Sequence, residues 1–392
     1  MSESGKECSM SRKYCFFTAN YLPKLGGVEI YTKCLAKALV KRGDFVTVIT
    51  CGEGKKVEKV MEEGIRLIKL PSFQTCNGRL PLINYNSHFR SFYKYIIKCQ
   101  FDLVIVQTRY YPLSLFGAKY AAKKRIPCIL LDHSTAHLDF GKGIVNKGFE
   151  LYEHIMTSII KRSQCSFMGV SQACNDWLLH FGITTEGILY NSVEESVCKM
   201  EPQNIYEQYN IPNKAQIILY AGRLLKEKGI EKLVEAVSKL EDKYPDLYLV
   251  VAGDGDLYEK LSKAENSHCL YLGRLKHEDV LKLMKEAMIF CLPTDYPEGF
   301  PTSVLEAAIC KCYIITTTAG GSKELITSLE YGTIIPKGQS ADVLKSSIDK
   351  VLGDPKMRLG AVEKSYNKVL DRFTWDDRAR EVEEITKAKK GI

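Results

Sequence analysis

The feature that most constrains this chain is a recurring kind of apolar run. "FVTVITC" (45–51), "FDLVIVQT" (101–108), "IPCILL" (126–131), "QIILYAG" (216–222) and "LYLVVAG" (247–253) are short, rich in β-branched residues and apolar at successive positions. A strand with one wet face alternates apolar and polar residues, whereas a strand covered on both faces need not. "YCFFT" (14–18), "IRLIKL" (65–70) and "CSFMGV" (165–170) complete a first series. "HCLYLG" (268–273), "MIFCLP" (288–293), "YIITTT" (313–318) and "YGTIIP" (331–336) complete a second. Helical segments lie between them. In 28–42, Val28, Tyr31, Leu35, Ala38 and Leu39 form one stripe, and Gly43 supplies a stop. The alternation predicts an α/β fold of open parallel sheets with helices on both faces.

There are too many strands for one such sheet, so two Rossmann-like domains are expected. The break falls in "YNSVEESVCKMEPQNIYEQYNIPNKAQ", a polar stretch with two prolines, which gives domains at 1–192 and 193–373. Ligands of open α/β sheets bind outside the carboxyl ends of the strands. Two such domains facing each other would leave a cleft between those ends.

Composition narrows the class. The chain has 392 residues, 45% hydrophobic and 26% charged, and no apolar run of membrane-spanning length. The N-terminus lacks the apolar core of a signal peptide, and its first ten residues read as a loose tail. Of the 14 cysteines, Cys15, Cys51, Cys128, Cys165 and Cys291 lie in or at the ends of strand-like runs, and no C-x-x-C pair occurs. Reduced thiols in a cytoplasm are expected, with neither a disulfide framework nor a zinc site. The net charge of +8 suits either a solvated basic surface or an anionic partner. No RNA- or DNA-binding motif accompanies it, so nucleic acid is not an expected partner.

Four segments after strands carry candidate chemistry. In "ANYLPKLGGVEIYTKCLAKAL", Gly26 and Gly27 open a helix, which lets backbone approach an anion closely. In "YAGRLLKEKGIEKL", Arg223 and Lys228 flank a loop closed by Gly229, an arrangement suited to a diphosphate. In "PEGFPTSVLEAA" (297–308), Pro301 suits the first turn of a helix, Glu298 lies on the loop before it and Glu306 lies within it. Carboxylates beside a phosphate site should face something neutral, and hydroxyl groups are the natural partner. A nucleotide sugar offers that layout. In "LLDHSTAHLDF" (130–140), His133 emerges at a strand end. Asp132, His133, His137 and Asp139 can be read as metal ligands, but no further ligand cluster has metal-site spacing, and no metal is expected. Asp254-Gly255-Asp256 has the form of a metal motif but follows a strand and reads as a turn. Each segment alone also fits a bland reading, as a plain turn, solvated bases or surface acids.

Together these motifs resemble the family 4 retaining glycosyltransferases of GT-B fold, over nearly the whole chain. "LGGVE" looks like that family's first glycine loop, "AGRLLKEKG" its diphosphate segment and "PEGFPTSVLEA" its paired-glutamate motif. "AGGSKELI" and "FTWDDRAREVEEI" fit its later segments. The resemblance implies an N-terminal acceptor domain, a C-terminal donor domain and a final helix, 374–392, crossing back to the first domain. It implies that Arg223 and Lys228 hold the donor diphosphate and that Gly27 lies against it. Glu306 would bind the ribose. Glu298, with backbone at Gly299, Phe300, Pro301 and Thr302, would bind the transferred sugar, with His133 beside it. Arg274 and Leu275 would read the nucleobase through their backbone. No cofactor is implied beyond a UDP- or GDP-sugar donor, and configuration is kept. The sequence departs from the family pattern at Asn191-Ser192, at Asp44, which reads as a surface detail, and after His133, where a frequent glycine is missing.

A glycan or lipid-linked acceptor is expected. "NYNSHFRSFYKYIIKC" (84–99) places Arg90, Lys94 and Lys98 on one edge and Phe89, Tyr93, Ile96 and Ile97 on another. It reads either as a packed amphipathic helix or as a peripheral contact with an anionic membrane on its cytoplasmic face. A GT-B-fold epimerase, a phosphorylase, a glycoside hydrolase using the paired acids and a non-catalytic nucleotide-sugar-binding protein are the alternative functions. Nucleotide diphosphate released only in the presence of an acceptor separates transfer from all of them.

Overall fold

The computed structural model describes residues 11–391 apart from 25, 140, 142, 202–204 and 265. The expected N-terminal tail lies outside the described residues. The chain divides into two compact units. The first comprises residues up to 169, 175–189 and 375–392; the second comprises 170–174 and 190–374.

In the first unit the strands are β1 (Lys13–Phe17), β2 (Phe45–Cys51), β3 (Glu58–Glu62), β4 (Ile65–Leu70), β5 (Ser72–Thr75), β6 (Leu80–Ile83), β7 (Leu103–Gln107), β8 (Cys128–Asp132), β9 (Ser166–Gly169) and β10 (Gly187–Ile188). One sheet runs β10-β9-β8-β7-β1-β2-β4-β3, and β5 pairs with β6 in a separate hairpin. All pairings in the large sheet are parallel except that of β3 with β4. The chain starts at β1, builds outward through β2, then returns to the other side of β1 with β7. The order therefore reverses between β1 and β7, the place where such sheets open a crevice. Strands β1 and β7 are buried along almost their whole length, as their unbroken apolar runs require.

Strand β3, "EKVME", is exposed at every position. A search for apolar runs passes over it, because an antiparallel edge strand needs no buried face. Asp44 is not the surface detail expected. It is buried, and its Oδ1 accepts the Arg12 N–H at 2.8 Å, so it anchors the start of β1. The helix Trp375–Lys390 packs in this unit. Trp375 meets Tyr31 edge-on at 5.0 Å, Arg42 pairs with Asp376 and Glu383, and Lys389 pairs with Glu186.

The second unit holds β11 (Gln216–Ala221), β12 (Leu247–Ala252), β13 (Cys269–Gly273), β14 (Ile289–Leu292), β15 (Tyr313–Thr317) and β16 (Thr333–Ile335). They form a wholly parallel sheet in the order β13-β12-β11-β14-β15-β16. The reversal here lies between β11 and β14. No cysteine among the described residues is in a disulfide, and Cys15, Cys128 and Cys291 are buried as small apolar groups. No described helix is long and apolar enough to cross a membrane.

Candidate active site

In the second unit, Arg223 and Lys228 follow β11, while Glu298 to Glu306 follow β14, on the two sides of the order reversal. Close backbone packing brings them together. Gly229 has φ 75°, and a Cβ there would lie 2.2 Å from the Pro293 carbonyl oxygen. Only glycine lets the loop after β11 rest on the end of β14. The loop is tied further by the Tyr220 hydroxyl donating to the Arg223 carbonyl at 2.8 Å and by Leu224 N–H donating to the Asp254 carbonyl at 2.9 Å. Asp254 Oδ1 accepts the Gly255 N–H at 2.7 Å, so this segment forms a turn that braces the loop.

Lys228 is thereby placed against the "YPEG" segment. Its ammonium forms a hydrogen-bonded ion pair with Glu298. The Tyr296 ring lies 4.9 Å from Lys228 Nζ and 5.7 Å from Arg223 Cζ, so one aromatic face serves both cations. The loop onward is held at each residue. Ser171 Oγ donates to the Gly299 carbonyl at 2.6 Å, and Gly321 N–H donates to it at 3.1 Å. Phe300 is buried beside Tyr190, Phe373 and Gly321, where a Cβ would strike its ring at 2.5 Å. Asn191 Nδ2 donates to the Phe300 carbonyl at 3.0 Å and to Thr302 Oγ1 at 2.7 Å.

Pro301 is the residue before the helix rather than in its first turn, and Thr302–Ile309 follows with no side-chain cap. Val304 N–H donates to the Pro301 carbonyl at 3.1 Å, and the Thr302 and Ser303 N–H groups ahead of it suit an anion. Glu306, one turn in, hydrogen-bonds His277 Nε2 at 2.7 Å. That contact joins it to the stretch after β13 that carries Arg274 and Leu275, since His277 opens the next helix. Glu306 holds the His277 imidazole above its ordinary range. Within the protein each of the two acids pairs with a nitrogen donor, Glu298 with Lys228 and Glu306 with His277.

In the first unit, His133 follows β8 and donates from Nε2 to Gln107 Oε1 at 2.7 Å. Tyr31 packs edge-on against it at 5.0 Å. Tyr31 lies one turn into the helix Gly27–Lys41, so His133 sits near the glycine-opened terminus. Burial pushes the His133 pKa down to about 4, and the neighbouring Asp132 charge only partly offsets this. The ring is neutral at physiological pH, with Nδ1 as acceptor. A Cβ on Gly27 would have nothing within 4 Å, whereas one on Gly26 would lie 2.3 Å from Glu29 Oε2.

Beneath these residues lies a buried ion triad that sequence reasoning missed. Arg109 pairs with Asp132 at 2.9 Å and with Glu153 at 2.8 Å, all three fully buried. Burial alone would raise the Asp132 carboxyl, but Arg109 outweighs it and holds the group below the ordinary range. Asp132, His133, His137 and Asp139 do not converge. Asp132 is engaged by Arg109, His133 by Gln107, and Asp139 by Asn146 and the Gly141 N–H.

The helix Ser87–Ile96 buries Phe89, Phe92 and Ile96 and leaves its basic edge, Arg90 and Lys94, in solvent. The packed reading holds for its apolar face. A different helix, Gly143–Ile160, exposes Ile144, Leu151 and Ile155.

Two family models match the chain: "Glycosyltransferase Family 4" over residues 25–193 and "Glycosyl transferases group 1" over 202–368. The chain belongs to the family 4, group 1 glycosyltransferases. It is 24% identical over 95% of its length to a phosphatidylinositol N-acetylglucosaminyltransferase polypeptide of Homo sapiens, covering 75% of that protein. It is 26% identical over 88% of its length to the N,N'-diacetylbacillosaminyl-diphospho-undecaprenol alpha-1,3-N-acetylgalactosaminyltransferase of Campylobacter jejuni, covering 90% of it. Among solved structures, Anabaena HepE in complex with UDP-glucose superposes with a TM-score of 0.73 at 18% identity, covering 96% of this chain and all of that one. WaaG, a glycosyltransferase of lipopolysaccharide biosynthesis, gives 0.66 at 19% identity, covering 97% and 100%. These likenesses establish the GT-B fold.

Proposed function

We propose that this protein transfers a hexose or N-acetylhexosamine from a UDP- or GDP-sugar to a lipid-linked or glycan acceptor, with retention of configuration. The observation that carries the reading is the grouping of Arg223, Lys228, Tyr296 and Glu298 at the order reversal of one sheet, beside an uncapped helix terminus. Breaking the bond from sugar C1 to the diphosphate oxygen builds negative charge on the leaving group. Arg223, Lys228 and the Thr302 and Ser303 N–H groups are fixed in place to receive it, which is the kind of preorganisation that lowers a barrier. Positive side chains thus supply the neutralisation that a divalent ion supplies in other transferases. Glu306 takes the ribose hydroxyls and Glu298 those of the sugar, each leaving its present partner. The acceptor oxygen attacks C1 from the face the diphosphate leaves, and its proton passes to a phosphate oxygen of that leaving group. In the first unit, neutral His133 keeps Nδ1 available to accept from a substrate hydroxyl.

The hexosamine and lipid-linked parts of the proposal are supported by the human and Campylobacter relatives, whose names carry both. The exposed apolar residues Ile144, Leu151 and Ile155, with the basic edge of Ser87–Ile96, support a peripheral membrane contact in the cytoplasm. Calorimetry with UDP, GDP and their sugars, followed by transfer to a polyprenyl-diphosphate acceptor, tests the reading. A donor that binds wild type but not Arg223→Ala, with an axial product anomer from an axial donor, supports it. Equal binding by both proteins, or none of any nucleotide sugar, overturns it.

A further inference from the structure

Three histidines from separate stretches of the first unit meet. His137 lies in the loop after β8, His154 on the helix Gly143–Ile160 and His180 just past the helix Gln172–Leu179. One ring nitrogen from each lies within 4.8 Å of the other two. Ring centroids are 5.5, 5.4 and 5.2 Å apart for the pairs 137–154, 137–180 and 154–180. Three imidazoles with a vacant fourth position are a ligand set that zinc accepts.

The surroundings orient these rings. The buried carboxylate of Glu153 lies 3.3 Å from His137 Nδ1 and also accepts the Leu138 N–H at 2.7 Å. Glu153 is itself fixed by Arg109 at 2.8 Å. A carboxylate on one imidazole nitrogen sets the tautomer and presents the other nitrogen to a metal. That other nitrogen, His137 Nε2, lies 3.6 Å from Glu150 Oε1, a carboxylate one helical turn before His154. Trp177 stacks parallel to His180 at 4.9 Å and holds its plane. The ring nitrogens of His154 and His180 have no hydrogen-bond partner among the described residues. Zinc bound at 2.0–2.1 Å needs ligand nitrogens about 3.3 Å apart, so from separations within 4.8 Å the rings must close by at most about 1.5 Å. A slide of His180 along the Trp177 face, with rotation of the His154 ring, supplies this.

We infer that His137, His154 and His180 form a zinc-class divalent metal site, with Glu150 or solvent as fourth ligand. It is a clamp rather than part of the transfer reaction. It ties the loop that begins at His133 to two helices, and it stands whether or not the proposed reaction does.

The test is Co2+ titration of chelator-stripped protein, read by visible absorption and followed by displacement with Zn2+. The expected result is one equivalent bound with tetrahedral d–d bands and no thiolate-to-cobalt charge transfer in the near ultraviolet. That last feature separates the histidine site from the protein's many free thiols. His180→Ala, at an exposed position, should keep the wild-type circular dichroism yet weaken binding at least tenfold, and His154→Ala should do the same. Zinc should raise the Tm of wild type and not that of His180→Ala. A thiolate band, no stoichiometric binding, or affinity unchanged in folded His180→Ala overturns the proposal.

Discussion

The two sheets place ligand-facing residues by the same topological device and stock the positions differently. At the β11/β14 reversal, charge is partly covered and held in pairs, Lys228 with Glu298 and His277 with Glu306, which the proposed donor would have to open. At the β1/β7 reversal, charge is sunk beneath the surface as Arg109, Asp132 and Glu153. What lies nearer the surface there is two glycines, Glu29 and a neutral His133, with Tyr31 buried behind the imidazole. On the proposed function, the first group exchanges partners and the second stays put. Substitutions should therefore cost binding in the first and folding in the second.

The largest expected effect is on the buried triad. Arg109→Ala leaves two carboxylates unpaired in the core, and breaking such a pair costs about 3–5 kcal/mol. Urea denaturation should show that loss, or no folded protein at all. A variant within about 1 kcal/mol of wild type would mean that the triad is not sealed and that the contrast between the sites is false.

Next come Arg223→Ala and Lys228→Ala. Each removes a charged hydrogen bond worth about 1.5–3 kcal/mol to the bound diphosphate, so kcat/KM should fall about 10- to 100-fold with Tm nearly unchanged. Glu298→Ala should lower kcat more than it weakens donor binding. A large drop in Tm with intact donor affinity in the Arg223 variant would place that residue with the structural group instead.

The two sites also differ in how far the sequence disclosed them. "PEGFPTSVLEAA" and "AGRLLKEKG" are contiguous, so the sequence placed Arg223, Lys228, Glu298 and Glu306 just after strands, while the fold alone makes β11 and β14 neighbours at one sheet reversal. Tyr296 went unnoticed because an aromatic before a proline has many uses, and only the fold sets it under both cations. In the first unit the partners are far apart in sequence. Arg109 lies on the connection after β7 and Glu153 on the helix Gly143–Ile160, and His137, His154 and His180 show no regular spacing. Nothing local signals their meeting. The parallel strands were legible because burial on both faces writes itself into composition, whereas the exposed edge strand Glu58–Glu62 carries no such mark.

A pair of glycine substitutions sharpens the comparison at smaller scale. Gly229→Ala meets both a positive φ and the Pro293 carbonyl, so it should cost about 1–3 kcal/mol and displace Lys228. Gly27→Ala enters open space at a helix start and should leave stability within about 1 kcal/mol of wild type. If transfer nonetheless falls in Gly27→Ala, the space is kept for substrate. If activity is unchanged, Gly27 is a plain turn residue.

The smallest effect expected is a pH dependence in the second unit. The folded His277 pKa lies above its unfolded value because Glu306 accepts its proton-bearing nitrogen. The pair's stabilisation is therefore complete below about pH 6.5 and is lost as pH rises through the folded value. The His277 side chain is 69% exposed, so the pair contributes under about 1 kcal/mol. Its consequence for binding runs the other way. On the proposed function a ribose takes Glu306 from His277, and a deprotonated imidazole lets go more readily. Donor affinity measured by calorimetry should rise a few-fold between pH 6 and pH 8 in wild type and be flat in His277→Ala. The diphosphate diester of the donor stays ionised throughout that range, so the slope belongs to the protein. A slope that persists in His277→Ala would show that Glu306 is not the group exchanging partners, and the β11/β14 site would then open through Lys228 and Glu298 alone.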